Sequence, residues 1–497
     1  MKNMNKQIGS ALAVALLLGG SFAQAQQHSV GQAEFVHGVT VAQQPGQAPR
    51  FLAKGDPLAQ GDVVNTGSRG FAVLSLKDGS KMTLRPNTSF AVEKFAHGAG
   101  EESLAMRLFR GGMRAISGLI GKRNPAGSQL STPTATIGIR GTEFDARICT
   151  GDCQREAQTT RGMKPVRAPD PTVARIALVQ GAATATGTDG VPRILTSGAA
   201  LYNGESVRTG RNAYAVLAFR DRSKVTLTSD TNLKLENVRF EPRQPDQGSF
   251  VVRLLGGGIR ALTGLLGKRD PRAVRFNTAV ATIGIRGTGV DIYEHQHCFE
   301  VPADVPKPAA GAKQSSGKGK KAEPAPPPVK AARQECADNA VFASTWDGAA
   351  TIEAAGKEQP VEKDQTGVFN PKRGAPELLA ALPDFIRDET APRPDKVEAD
   401  FDGMFEVKKV EDYAPGTYLG TRSGHTQLCG SAGCVDLGAW ETGLLADGSD
   451  RPVRIEPNPG FLYNDPYPTP DEADERTLRL IELVSPGGEP GTGICTP

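Results

Sequence analysis

His295, His297 and Cys298 form the densest group of metal-ligating side chain types in the chain. On a strand, residues two apart share a face, so both imidazoles could meet one ion while Cys298 points away. An exposed strand end is the plainer reading, and no metal site is expected. Cys149-Thr-Gly-Asp-Cys153 is wider than the C-x-x-C spacing of thiol redox chemistry and reads as a structural staple. The six histidines lie away from any nucleophile motif, and no G-x-S-x-G, phosphate loop or dinucleotide fingerprint is present. Carboxylates sit in turns such as Lys77-Asp78-Gly79-Ser80, without a visible acid–base pair. No catalytic residue and no cofactor are expected, and the chain reads as non-enzymatic.

Seven cysteines leave the disulfide framework open. Cys149 with Cys153, and Cys429 with Cys434, would each close a small loop. Cys298 with Cys336 would close a long one, leaving Cys495 over. Lys2 and Lys6, the apolar stretch Ala11–Leu18 and the small-residue site Ala23-Gln24-Ala25 have the order of a signal peptide over 1–25. The expectation is a periplasmic or secreted protein with no integral membrane span after cleavage. With 58 basic against 55 acidic residues, nothing in the charge balance points to nucleic acid.

The elements that must position any site occur twice. Val30–Thr88 laid over Val173–Thr231 gives 22 identities in 59 positions, and Arg107–Thr142 over Arg253–Thr288 gives 21 in 36. Each copy is a domain rather than a blade of a larger repeat. Phe71–Leu84 carries two apolar-polar runs around Asp78-Gly79, a hairpin signal. Tyr214–Leu227 keeps the runs but has Arg222 where the glycine was, which predicts a different turn type. Val, Thr, Leu and Gly dominate, so the fold class is all-β. Arg110–Pro125 and Gly256–Pro271 hold too many glycines for a membrane helix and read as a strand entering a Lys-Arg-tipped loop.

Both copies end on Ala-Thr-Ile-Gly-Ile-Arg-Gly-Thr, at 135–142 and 281–288. Gly138, Arg140, Gly141 and Thr142, with Gly284, Arg286, Gly287 and Thr288, read as a structural motif. The isoleucines enter the core, and the arginine fork clamps loop carbonyls. The succession of Gln60–Gly67, Val73–Phe90, Leu108–Ala115 and Ser131–Asp145 resembles the FecR-type periplasmic domain. That family closes on Thr-Pro-x-Ala-x-x-Gly-x-Arg-Gly-Thr-x-Phe. The first copy fits in full, whereas the second has Ala279, Gly289 and Val290 in place of Pro133, Glu143 and Phe144.

The resemblance implies closing strands beyond the motif. Asn339–Phe369 suits that role for the second module, Gly416–Leu445 is another version of it, and Ala174–Thr186 is expected to close the first fold and open the second. The resulting organisation is module one at 26–172 and module two at 173–369, with a Pro-, Ala- and Lys-rich disordered insertion at about 299–336. A connector follows at 370–412, with a short helix over Glu377–Arg387, then a β-rich C-terminal region with an acidic tail at 413–497. The insertion reads as solvated, with a tether to an anionic surface as the alternative. The family's transducer role needs a folded segment ahead of a membrane helix, and only about ten residues precede the apolar stretch here. The expected role is therefore a binding or scaffold module for an envelope protein or surface polymer, with a periplasmic sensor in σ/anti-σ signalling as the alternative.

Overall fold

The computed structural model describes residues 29–98, 100–159, 171–188, 190–241, 247–295, 298–301, 333–336, 339–410 and 412–471. Residues 1–25, Cys495 and most of the insertion lie outside them. Among the described residues the chain is mostly β, in two sheets of sixteen strands each and one two-stranded ribbon. No described helix is long and apolar enough to cross a membrane. Inward and outward positions alternate along strands such as Asn232–Arg239, as a sheet with one buried face requires.

Two long strands give each module its shape. Ser103–Ile116 pairs with Ser89–Ala96 in its first half and with Lys81–Leu84 in its second, bending at Gly111, whose φ is 82°. A Cβ there would lie 2.5 Å from the Thr88 hydroxyl, so both conformation and space demand glycine. The motif strand Thr136–Cys149 bends at Gly141 and likewise serves both faces, pairing with Ser128–Ser131 and then with Ser103–Ile116. Module two repeats these bends at Gly257 and Gly287.

The closing strands follow a different order from the one expected. Ala340–Ala354 runs along Thr282–His295 and closes module two. Ala174–Gln180 pairs with Tyr214–Phe219, and Ala183–Thr186 with Ser206–Thr209, so both belong to module two and neither closes module one. Gly416–Gly430 does that, antiparallel to the whole of Thr136–Cys149. Leu419, Leu428, Val435, Leu437 and Leu445 complete the first core. The chain thus leaves module one after the motif strand, builds module two, and returns.

Three local expectations also change. Arg222 sits at φ 67° in the same turn that Gly79 makes at 84°. Asp221 fixes that turn by accepting from the Ser223 backbone N–H and hydroxyl at 3.0 and 2.7 Å, as Asp78 does from Ser80. The Lys-Arg tips are short helices, Leu119–Arg123 and Leu265–Arg269, rather than loops. Each is preceded by a glycine pressed on the hairpin tip: a Cβ on Gly118 would lie 2.4 Å from the Asp78 carbonyl oxygen. In the connector, Pro376–Leu378 is a strand and the helix is only Asp384–Arg387, followed by a second helix at Phe401–Phe405.

Cys149–Cys153 and Cys429–Cys434 are disulfides. The ribbon of Cys298–Val301 with Arg333–Cys336 sets Cys298 opposite Cys336 in backbone register; their side chains, and His297, lie outside the described residues. Among the described residues no three His, Cys, Asp or Glu side chains gather as a metal site.

Candidate functional site

Ile137 and Ile139, like Ile283 and Ile285, are buried along the motif strands. Thr142 is tied to Ser117 twice: its N–H donates to the Ser117 hydroxyl at 2.6 Å, and its carbonyl accepts the Ser117 N–H at 2.9 Å. Gly141 lies against Gly424 of the closing strand, and both have positive φ. A Cβ on Gly424 would be 2.6 Å from the Gly141 oxygen, so the two strands share one bulge. Gly138 and Gly284 have ordinary room for a side chain. The Thr288 side chain lies outside the described residues.

Arg140 does not clamp its own module. It reaches into module two, donating to the Thr196 hydroxyl at 2.5 Å and the Ser197 carbonyl at 3.5 Å. Arg286, its counterpart, is exposed, and its side chain has no hydrogen-bond partner among the described residues.

The turn that receives Arg140 packs on the segment 436–441 of module one. A Cβ on Gly198 would fall 2.1 Å from Asp436, and one on Gly438 would fall 2.4 Å from the Tyr202 hydroxyl. Arg175, 1% exposed, donates to both oxygens of Glu441 at 2.7 and 2.5 Å and to the Gly198 carbonyl at 3.0 Å. The Thr172 hydroxyl and the Gly438 N–H also donate to Glu441. Burial alone would raise the Glu441 carboxyl, but Arg175 and Arg454 outweigh it and hold the group at about 2. Arg454 is itself lowered to about 10, by burial and by the charge of Arg175. Beside them His425 stands 3.0 Å from Asp436, and burial keeps the imidazole below its usual range despite that carboxylate. A cleft of about 920 Å³ opens over this junction, with Arg123, Arg140, Lys408 and Arg451 among its cations and Ile194 and Met404 among its apolar lining.

A second buried polar centre recurs inside each module and was passed over in the sequence. Asp145, fully buried, accepts from Arg85, Arg114 and Arg422 at 2.9, 3.0 and 2.6 Å. Asp291 accepts both arms of Arg260 at 3.2 and 3.0 Å and the Trp346 indole N–H at 2.9 Å. Arg114 and Asp145 are identical in the two copies, and that identity, in polar residues at inward positions, was the available signal.

Two departures of the second copy, Gly289 and Ala279, are compensated. Where module one sets Glu143 3.9 Å from Arg422, module two has Gly289 under the Trp346 ring; a Cβ on Gly289 would meet that ring at 2.1 Å. Where module one has Pro133 and Ile148, module two has Ala279, whose N–H donates to Glu294 at 3.3 Å.

The FecR protein family matches residues 62–163 and 205–301, ending in each copy beyond the motif strand. A search of curated proteins finds no match. Two crystal structures of an anti-sigma factor candidate from Parabacteroides distasonis ATCC 8503, at 1.65 and 2.50 Å resolution, align over 43% of this chain and 83% of theirs. Their identity is 11% and their TM-score 0.24, too low to bear on fold or function. The two matched regions, and the architecture they share, are consistent with two FecR-type domains in tandem.

Proposed function

We propose that this chain is a non-catalytic recognition protein of the bacterial envelope, exported by residues 1–25, whose two FecR-type modules act as one unit and bind an anionic envelope component at their junction. The observation that carries this reading is Arg140. The arginine of the repeated motif is directed to the neighbouring module, at the edge of a cleft where cations outnumber carboxylates. Such a cleft attracts anions by its summed field and holds them by charge-assisted hydrogen bonds. Co-sedimentation with purified peptidoglycan or lipopolysaccharide, for wild type and for the Arg123→Glu/Arg451→Glu variant, tests it. Binding that the charge reversal abolishes supports the proposal; no binding to either polymer, or equal binding by both proteins, refutes it.

A sensor role is the second reading and rests on the FecR match itself. A rigid junction around Glu441 would suit it, because an event on one module would shift the other. Co-purification with the signalling domain of an outer-membrane receptor, lost when Glu441 is replaced, supports this reading over surface-polymer retention.

A further inference from the structure

The Arg–Asp centre of module one differs from that of module two in one respect that points to a ligand. Arg85 and Arg422 have no arginine counterparts in the second copy, where Thr228 and Trp346 stand. Module two therefore balances Arg260 with Asp291 within the fold. Module one gathers three guanidiniums, Arg85, Arg114 and Arg422, around Asp145, with half-buried Glu143 at their edge. Buried positive charge in excess of its partners is strongly unfavourable, so the centre requires another anion.

The anion comes from a passing segment of the same chain. Asp465 accepts from Arg85 at 2.8 Å and from Arg114 at 2.7 Å. The residues around it are read through their main chain: Arg85 takes the Phe461 carbonyl, Arg422 the Leu462 carbonyl, Arg114 the Tyr467 carbonyl and Thr83 the Pro468 carbonyl. The Tyr467 ring lies 5.9 Å from Phe71. Phe461 and Leu462 belong to the short helix Gly460–Tyr463, whereas the Tyr467 and Pro468 carbonyls, held beside the anchored Asp465 carboxylate, are contacts of the kind by which a protein recognises an extended acidic peptide. Module two provides the internal comparison. Its Arg260 also donates to a passing carbonyl, that of Ala391 at 2.8 Å, but the carboxylates of that segment go elsewhere, Glu389 to the Tyr293 hydroxyl at 3.3 Å and Asp395 to Arg393, which lies over Trp346.

We infer that the Arg85–Arg114–Arg422 face of module one is a binding site for an extended, proline-flanked peptide bearing a carboxylate, and that Asp465–Pro468 occupies it in cis. A partner carrying such a segment would exchange with Asp465–Pro468, while Phe461–Tyr463 stay anchored in their own apolar cluster. None of these residues lines the cleft between the modules, so the site is separate from the one proposed above.

The test uses the full chain and a labelled peptide of sequence Asn-Asp-Pro-Tyr-Pro-Thr-Pro, copied from 464–470. The Asp465→Ala chain is expected to bind this peptide at least about tenfold more tightly than wild type does, and about tenfold more tightly than it binds the Asn-for-Asp peptide. A folded Asp465→Ala chain that binds neither peptide, or both equally, overturns the inference. Should that variant not fold, amide exchange on the wild-type chain decides. Tyr467 must exchange through a local opening while the amides of Phe144 and Ala146 remain protected. Exchange of all three only on global unfolding overturns the inference as well.

Discussion

Arg175 and Glu441 come from opposite modules, and one guanidinium nitrogen of Arg175 reaches both carboxylate oxygens. Glu441 also receives Thr172 and the Gly438 backbone, so it joins the returning segment of module one to the first strand of module two. Removing one partner leaves a buried charge without its counterion. Glu441→Ala is expected to cost about 3–5 kcal/mol and to split a single unfolding transition into two, followed by denaturant titration.

The same carboxylate predicts an acid dependence. Its proton leaves near 4.5 in an ordinary setting and at about 2 in the fold. The unfolded chain therefore takes up the proton first, and acid favours unfolding. The stabilisation is fully present above pH 4.5 and is lost as pH falls towards 2, on the order of 3 kcal/mol, reduced by the partial exposure of the group. Melting temperatures across that window should fall more steeply for wild type than for Glu441→Gln.

Neither residue repeats: Arg175 stands where module one has Gln32, and Glu441 where module two has Gln365. Matching the copies brings out what each module needs for itself, the bends, the hairpins and the buried isoleucines. It passes over whatever holds the two modules together, because that contact exists once. The closing strand at Gly416 shows another limit. Its local pattern is legible as a closing strand, but which module it closes depends on a long-range return that alternation and turn residues do not encode. Arg114 and Asp145, by contrast, were readable, since two inward polar residues kept in both copies need each other.

Gly289 and Trp346 should behave as one unit. Gly289→Ala drives a methyl into the indole and is expected to cost about 1–3 kcal/mol, and Trp346→Ala about 3–5 kcal/mol. The double variant should lose less than the sum, because the cavity left by the ring accepts the methyl. Strict additivity in thermal unfolding would show that the two do not share one space.

Ala279 and Glu294 offer a second cycle. Ala279→Pro removes the N–H that Glu294 accepts, leaving the carboxylate buried and short of donors, and should destabilise module two by about 1–3 kcal/mol. Adding Glu294→Ile restores the pairing of module one and should recover most of the loss in a chemical denaturation series. Failure to recover would mean that the two positions are independent.

Arg222 is held at positive φ at a cost of about 1–2 kcal/mol, and it sits 3.1 Å from Asp402 and against the Phe401 ring. Arg222→Gly should stabilise the hairpin tip while loosening the connector helix. Slower exchange at Ser223 with faster exchange at Met404 is the expected signature.

Because Gly416–Gly430 completes module one, the Glu143 amide waits for Ser423, 280 positions further along the chain. During synthesis from the N-terminus, the motif strand is made long before its partner exists, and its edge stays open. Module two has its own closing strand and can finish while module one is still incomplete. The order of assembly is thus written into the connectivity: the later module in the sequence is the first to mature, and the earlier one is sealed last.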